Sequence, residues 1–435
     1  MALLSVASPL GVSEAFNLTS IPATDVSQEK GFTSCYMPLS DPKNGNGPIE
    51  FLVQNTGTKY INLSETALYV RFVIKDSEGN EIKYKAGNLE PADDNDVVTG
   101  VANILNSLFT STELYLNGVS VSSPILNSHA YIDYLKKLLN YSKESKNSIL
   151  TCSGFYADST TGYASRRKLT ANNESEWIGR LDLDLFSCQK YLLSNVEMKL
   201  RLNRSSDKFF LHTKNQNKEY SVSLKEAKLF IRYIAPSDQI IEANEKILQT
   251  QKALYPYQRQ LMKTFQLSQG DLDFSTENLF TSYLPEKIVL GFLDSEAYLG
   301  DQKKDPFNFE NMEVTNINFF VDHERVIALD LDYTSNKYIE AFYTTLDNLG
   351  FGEGAQENNG MSRDNFKDSN NLFCINLLPE KNNETNLALV RKANTRLQIR
   401  FKTGLSKPVT LILCYSTPAV VEIDSERNVT HNFSD

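Results

Sequence analysis

An all-β fold, built as two tandem jelly-roll β-sandwiches with a few short helices, is what this sequence predicts. Three observations point to it. Phe and Tyr, which favour pleated half-buried surfaces, number 24 and 21 against a single Trp. The chain breaks into many short strand-like runs separated by turn clusters, with few helical stretches. One order of elements occurs twice, at an offset that drifts between about 180 and 210 residues, as an internal duplication with unequal loops requires.

At 435 residues the chain is too long for one ordinary core, and 41% hydrophobic content supplies enough apolar surface to fill two. Five segments are expected: an arm over 1–47, a first jelly roll over 48–236, a linker over 237–254, a second jelly roll over 255–424 and a tail over 425–435. The arm is rich in Ser, Pro, Gly and Asn and ends in the turn cluster "SDPKNGNGP".

From Pro48 the texture turns to strands, "IEFLVQ" and "ALYVRFVIKD", the second closed by the turn "SEGN". "TELYLNGVSVSSP" at 112–124 reads as a hairpin about an Asn117-Gly118 turn, which supplies the positive φ of a type I′ turn. Leu116 then faces Val119, Tyr115 faces Ser120 and Leu114 faces Val121, so one face is aliphatic. A helix is expected next over 130–143, capped by Ser128, with Ile132, Leu135, Leu138 and Leu139 on one side and Lys136 and Lys137 on the other. Residues 153–176 read as loop, and "RRK" at 166–168 as a solvated patch. "LDLDLF" at 181–186, "VEMKLRL" and "EAKLFIRYIAP" are strand-like, and "SDQIIEANEKILQTQKA" is a partly helical linker.

The order then repeats with "QRQLMKTFQL", "EKIVLGFL" and the hairpin strands "NINFFV" and "RVIAL", which place Val321 opposite Val326. A helix over 337–349 presents Ile339, Phe342, Leu346 and Leu349 on one face and stops at Gly350. The stretch 350–371 reads as a polar loop that lies outside the core and tolerates shortening. "LFCINLL", "TRLQIRF" and "PVTLILCYSTPAVVEID" complete the second set. "MKLRL" corresponds to "LQIRF", and "LFIRYIAP" to "LILCYSTP".

Chemistry finds no anchor in these residues. His129, His212, His323 and His431 are far apart and sit in no metal-ligand pattern. Cys35, Cys152, Cys188, Cys374 and Cys414 are odd in number and widely spaced, which reads as reduced thiols rather than a disulfide framework. Phosphate-binding loops and the GxSxG elbow are absent, and the glycine-rich "GFGEG" at 350–354 follows a helix where a phosphate cradle precedes one. "DDND" at 93–96 and "ALDLDY" lack the ligand spacing of a calcium loop. No catalytic, cofactor-binding or metal-binding residue is therefore assigned, no cofactor is expected, and the chain is read as a non-enzyme.

A net charge of −10 argues against a surface that neutralises phosphates, and Glu14, Asp25, Glu29 and Asp41 outnumber Lys30 and Lys43 in the arm. Direct sequence-specific nucleic-acid binding is not expected. The longest apolar run, "VTLILCY", is far too short to cross a bilayer, and "MALLSVASPLGV" lacks the basic flank of a signal peptide.

Several segments together carry a family likeness. "GPIEFLVQNTGTKYINLSETALYVRFVIKDSEG", "LFTSTELYLNGVSVSSP", "HAYIDYLKKLLNYSKESKNSILTCSGFY" and "STPAVVEIDSERNVT" resemble the major capsid proteins of Polinton/Maverick elements and adintovirus-like viruses, over residues 48–430. The likeness implies a double jelly-roll capsid protein. It implies homotrimers whose six jelly rolls make a pseudo-hexameric capsomer, tiling of an icosahedral shell beside neighbouring capsomers, and a separate single jelly-roll penton protein at the vertices. The expected location is then the virion capsid, assembled inside the host cell (nucleus or cytoplasm) and not secreted. The alternative is a tandem β-sandwich that binds carbohydrate or acts as a glycosidase, which needs an exposed aromatic platform and has Trp177 as its one indole.

Overall fold

The computed structural model describes residues 13–19, 21–44, 47–82, 98–122, 128–156, 161–170, 174–215, 218–281, 283–351, 358–379, 381 and 389–432. The opening 1–12, the acidic run 93–96 and most of "GFGEG" lie outside them.

The first set of strands is β1 (Gln28–Tyr36), β2 (Ile49–Val53), β3 (Tyr60–Lys75), β4 (Val98–Gly100), β5 (Phe109–Leu116), β6 (Val119–Ser120), β7 (Ser175–Arg180), β8 (Met198–Arg204), β9 (Leu211–Thr213) and β10 (Ser221–Pro236). They form two antiparallel sheets ordered β1-β10-β3-β7 and β2-β8-β5-β6, with a small β4-β9 ribbon. The second set is β11 (Ala253–Leu267), β12 (Asp273–Glu277), β13 (Lys287–Asp294), β14 (Val314–Val321), β15 (Glu324–Asp330), β16 (Leu372–Asn376), β17 (Thr395–Phe401), β18 (Val409–Ile423) and β19 (Val429–His431). Its sheets run β11-β18-β13-β16, with β19 added beside β18, and β12-β17-β14-β15. The two halves therefore share one strand order: β11, β18, β13 and β16 stand where β1, β10, β3 and β7 stand. These are the two tandem jelly-roll sandwiches expected from the repeated order of elements.

Helices are short: α1 (Ile104–Ser107), α2 (Ser128–Asn140), α3 (Lys143–Asn147), α4 (Thr161–Thr170), α5 (Asp207–Phe210), α6 (Asp238–Leu248), α7 (Ser295–Leu299), α8 (Ile339–Leu349) and α9 (Arg363–Asp368). α2 follows the β5–β6 hairpin and α8 follows the β14–β15 hairpin, so hairpin and helix recur in the same chain order, while α2 packs on β5 and β11 and α8 on β16 and β15.

Each sandwich has its own core. In the first, Val70, Trp177 and Leu229 of one sheet face Phe51, Leu114 and Leu200 of the other. In the second, Ile288, Leu290 and Leu411 face Ile317, Phe319 and Leu397. Strand alternation does this work, since every second side chain points to the same face.

The first hairpin has the expected register. Tyr115 pairs with Ser120 and Leu116 with Val119, and Val121 N–H donates to the Leu114 carbonyl at 2.9 Å. Asn117 and Gly118 take φ of 45° and 79°, the backbone of a type I′ turn. The second hairpin departs from expectation. Its turn has two residues, Asp322 and His323, both at positive φ. Val321 therefore pairs with Glu324, and a bulge between Phe319 and Phe320 leaves Val326 without the place opposite Val321.

Other expectations are corrected. Residues 28–36 of the expected arm form β1, hydrogen-bonded along β10. The stretch 153–176 holds α4 and the start of β7 rather than loop alone. Within it Arg166 is 1% exposed; its Nε donates to the Gly100 carbonyl and its Nη1 to the Tyr156 carbonyl, each at 3.0 Å. "LDLDLF" is no strand: Asp184–Ser187 forms a 3-10 turn. The stretch 350–371 contains α9, whose Phe366 is fully buried and packs edge-on against Phe373. Shortening that includes 363–371 is thus expected to damage the second core.

Candidate functional site

β18 departs from simple alternation. Leu411, Ile412, Leu413 and Cys414 are all buried in succession, which is the signature of a strand covered on both faces. Leu411 and Leu413 point into the second core. Ile412 and Cys414 point the other way, into a third apolar cluster with Met262 of β11, Leu293 of β13 and Leu372 of β16. The cover is α2. A helix buried around most of its circumference reads as hydrophobic on more than one side, and here Tyr131, Tyr134, Leu135, Leu138 and Leu139 are all under 5% exposed.

Aromatic rings clasp α2 to the second sandwich. The Tyr134 ring stacks on Phe307 with centroids 4.2 Å apart. Tyr131 stacks on Tyr298 at 5.7 Å and meets Phe307 edge-on at 5.4 Å. Aromatic pairs of this kind contribute about 0.5–1.5 kcal/mol each beyond the area they bury. Gly291 of β13 makes the close approach possible, because a Cβ there would lie 2.6 Å from the Phe309 ring and 2.7 Å from Leu372. Gly291→Ala is expected to destabilise by about 1–3 kcal/mol through overpacking, read by urea unfolding.

Lys137, expected on a solvent face, is 2% exposed and lies in the first-sandwich side of this seam. Its ammonium is 2.9 Å from Asp133, one turn earlier, and donates to Asn103 Oδ1 at 3.2 Å. The Asn103 amide donates in turn to Asp133 Oδ2. Asn103 occupies the left-handed region at φ 57°, which aims its side chain at the pair. Burial alone would raise the Asp133 carboxyl; the charge of Lys137 and the hydrogen bonds from Lys137 and Asn103 outweigh it, so it lies below the usual carboxylate range. Burial holds His129 below its ordinary value and therefore neutral near pH 7.

Asp182 and Asp184 stand half-buried where the first sandwich meets β11. Asp182 takes an ion pair from Lys136 at 3.3 Å. Burial pushes the Asp184 carboxyl up to about 7, against the Gln260 N–H and the charges of Lys136 and Arg259, which pull it down. The folded state then holds a proton that the unfolded chain releases near its ordinary value of 3.8. This contribution is fully present below that value and is lost as the pH rises through about 7. The melting temperature of Asp184→Asn, less that of the wild type, is expected to be near zero at about pH 4 and to grow up to about pH 7. Melts across that range check it.

The residues weighed from sequence do not converge. His323 is exposed in the second hairpin turn and His431 on β19, while His212 lies on β9 with its ring 5.2 Å from Tyr163. Among the described residues no group of three or more His, Cys, Asp or Glu is placed to hold a metal ion. Asp332 accepts hydrogen bonds from Thr334 N–H and the Ser335 hydroxyl in a local turn. Trp177 is 4% exposed inside the first core, which removes the one indole as a sugar platform. All five cysteines are free, with Cys35 and Cys152 exposed. Burial pushes the Cys374 and Cys414 thiols up to about 12. A thiol reagent at neutral pH is expected to count two fast sites in the folded protein and five after denaturation.

No family model matches the sequence. The uncharacterized protein F54H12.2 of Caenorhabditis elegans is 24% identical over 372 residues, covering 84% of this chain and 88% of that protein. Among solved structures, a chain of the Sputnik virophage superposes with a TM-score of 0.65 over 99% of this chain and 94% of its own, at 11% identity. This chain has the fold of viral major capsid proteins. The mavirus major capsid protein matches with a TM-score of 0.56 at 12% identity, covering 100% of this chain and 97% of its own. The Faustovirus major capsid protein gives 0.58 at 8% identity over 95% and 94%.

What sequence reasoning missed is the seam. The unbroken run "VTLILC" in β18 against the alternating "KLFIRY" in β10 was the available signal: one sheet is covered on both faces, its counterpart on one.

Proposed function

We propose that this chain is a structural major capsid protein and not an enzyme. The observation that carries the reading is the fixed pair of like sandwiches: two copies of one strand order, clamped side by side by α2. Three such chains in a closed ring present six similar lobes, so a three-fold object fills a six-fold place in an icosahedral shell. The full-length likeness to virion shell proteins supports it. The "YLNG" hairpin and the Tyr-rich helix after it support placing the protein with the Polinton/Maverick and adintovirus-like group, and the nematode relative is consistent with an element-borne origin. Neighbouring capsomers and a single jelly-roll penton protein are its proposed partners, and the virion capsid, assembled within the host cell, its location.

Light scattering tests the first step. The expected mass is three times the 49.1 kDa chain, about 147 kDa. Electron microscopy of the same material should reveal hexagonal capsomers or shells. A monomer under all salt conditions overturns the reading and favours the binding-module alternative.

A further inference from the structure

The seam inside the chain has a counterpart that the chain alone leaves open. α2 and α8 each follow the hairpin of their half, with Tyr131-Ile132-Asp133 matching Tyr338-Ile339-Glu340 in sequence. Continuing the same match, Ile132, Leu135 and Leu139 of α2 correspond to Ile339, Phe342 and Leu346 of α8. The α2 face is spent on the second sandwich, against Val289 and Cys414 on the outside of its sheet. α8 buries a different stripe, Ala341, Thr345 and Asn348, against β16. Of the corresponding residues Phe342 turns to its own core, its ring 5.3 Å from Phe366, whereas Ile339 and the neighbouring Tyr343 are 48% and 53% exposed.

The surface that would receive it lies on the first sandwich. β10 matches β18, so Phe230 stands where Ile412 stands. The pairings agree: Phe230 lies beside Ala67 as Ile412 lies beside Gly291, and Tyr69 occupies the place of Leu293. On the second sandwich these positions lie under or beside α2. On the first, Phe230 and Tyr69 are half-buried on the outer face, Ile178 of β7 is 40% exposed, and Cys35 of β1, beside Phe230, is exposed. Phe230 interrupts an outer face otherwise polar, with Ser223, Lys225, Glu226, Lys228 and Arg232. At the margins Glu340 adjoins Ile339, and Arg180 adjoins Ala67, so opposite charges can meet.

We propose that the outer face of α8 (Ile339, Tyr343, Leu346) docks on the outer face of sheet β1-β10-β3-β7 (Ala67, Tyr69, Ile178, Phe230) of a second copy of this chain. The contact repeats between copies what α2 makes within one. It is heterologous, head to tail, and it closes when the rotation per copy matches a ring. This inference rests on the capsid reading and names the surfaces by which that assembly forms.

Crosslinking tests it. In a Cys152→Ser background, Tyr343→Cys places a thiol on α8, and a short bismaleimide can join it to Cys35 of another copy. The expected products are two-chain and three-chain species on a denaturing gel, lost when Cys35→Ser is added. In parallel, Ile339→Glu, at an exposed site, should keep the wild-type melting temperature of the isolated chain and shift assembly to at least tenfold higher concentration. A wild-type particle of about 147 kDa with no crosslink through Cys35, or unimpaired assembly of Ile339→Glu, overturns these surfaces while the capsid reading stands. A wild-type protein that never assembles overturns both.

Discussion

Asp133→Ala is expected to destabilise the protein by about 3–5 kcal/mol, because it leaves the Lys137 ammonium buried without its counter-charge. Lys137 and Asp133 are 2% and 1% exposed, so water cannot take over the lost partner without opening the seam. The sign reverses for the pair as a whole. Asp133→Leu with Lys137→Met removes both charges together, and such replacements are neutral or stabilising by about 1–4 kcal/mol where the volume is kept. Asn103 then loses both partners, which holds the expected gain to the low end. Urea unfolding of the single and double variants measures the difference. A single variant within about 1 kcal/mol of the wild type would mean that the pair is solvated in solution.

Tyr134→Ala has an expected cost of about 3–5 kcal/mol, the range for deleting a large buried ring. The ring is 2% exposed and touches Phe155 of its own half and Phe307 and Phe309 of the other. Its loss removes the centre of the clasp while leaving both sandwich cores whole. Calorimetry should show the transition moved to lower temperature and still single, because β11, β18 and β19 carry side chains into the first core. Tyr134→Phe keeps the ring stack and should retain most of the stability that Tyr134→Ala loses.

Much of the architecture was legible because strand alternation and turn chemistry are local. The Asn117-Gly118 turn, the β8, β10, β17 and β18 strands and the helical stop at Gly350 all follow from neighbours within a few residues. The misreadings came from elements whose character is set across the molecule. Lys137 looks like a solvent residue until Asn103 and Asp133 are beside it. Arg166 looks like a surface charge until α4 buries it against the Gly100 carbonyl. The two-residue Asp322-His323 turn escapes the sequence, because positive φ at a non-glycine pair carries a weak signal. β1 lacks an apolar run, since as an edge strand it buries only one side against β10.

The longest strands also reach beyond their own sandwich. Tyr255 and Tyr257 of β11, Ala419, Val421 and Ile423 of β18, and Val429 of β19 belong to the first core, not the second. On the ribosome this sets an order of events. The amino-terminal lobe emerges first, yet its apolar interior stays open until residue 429 has been released. A chain halted by premature termination or clipped before β18 retains that opening and offers chaperones a handle that finished subunits lack. The amino-terminal lobe is thus completed only by the last strands of the chain to be made.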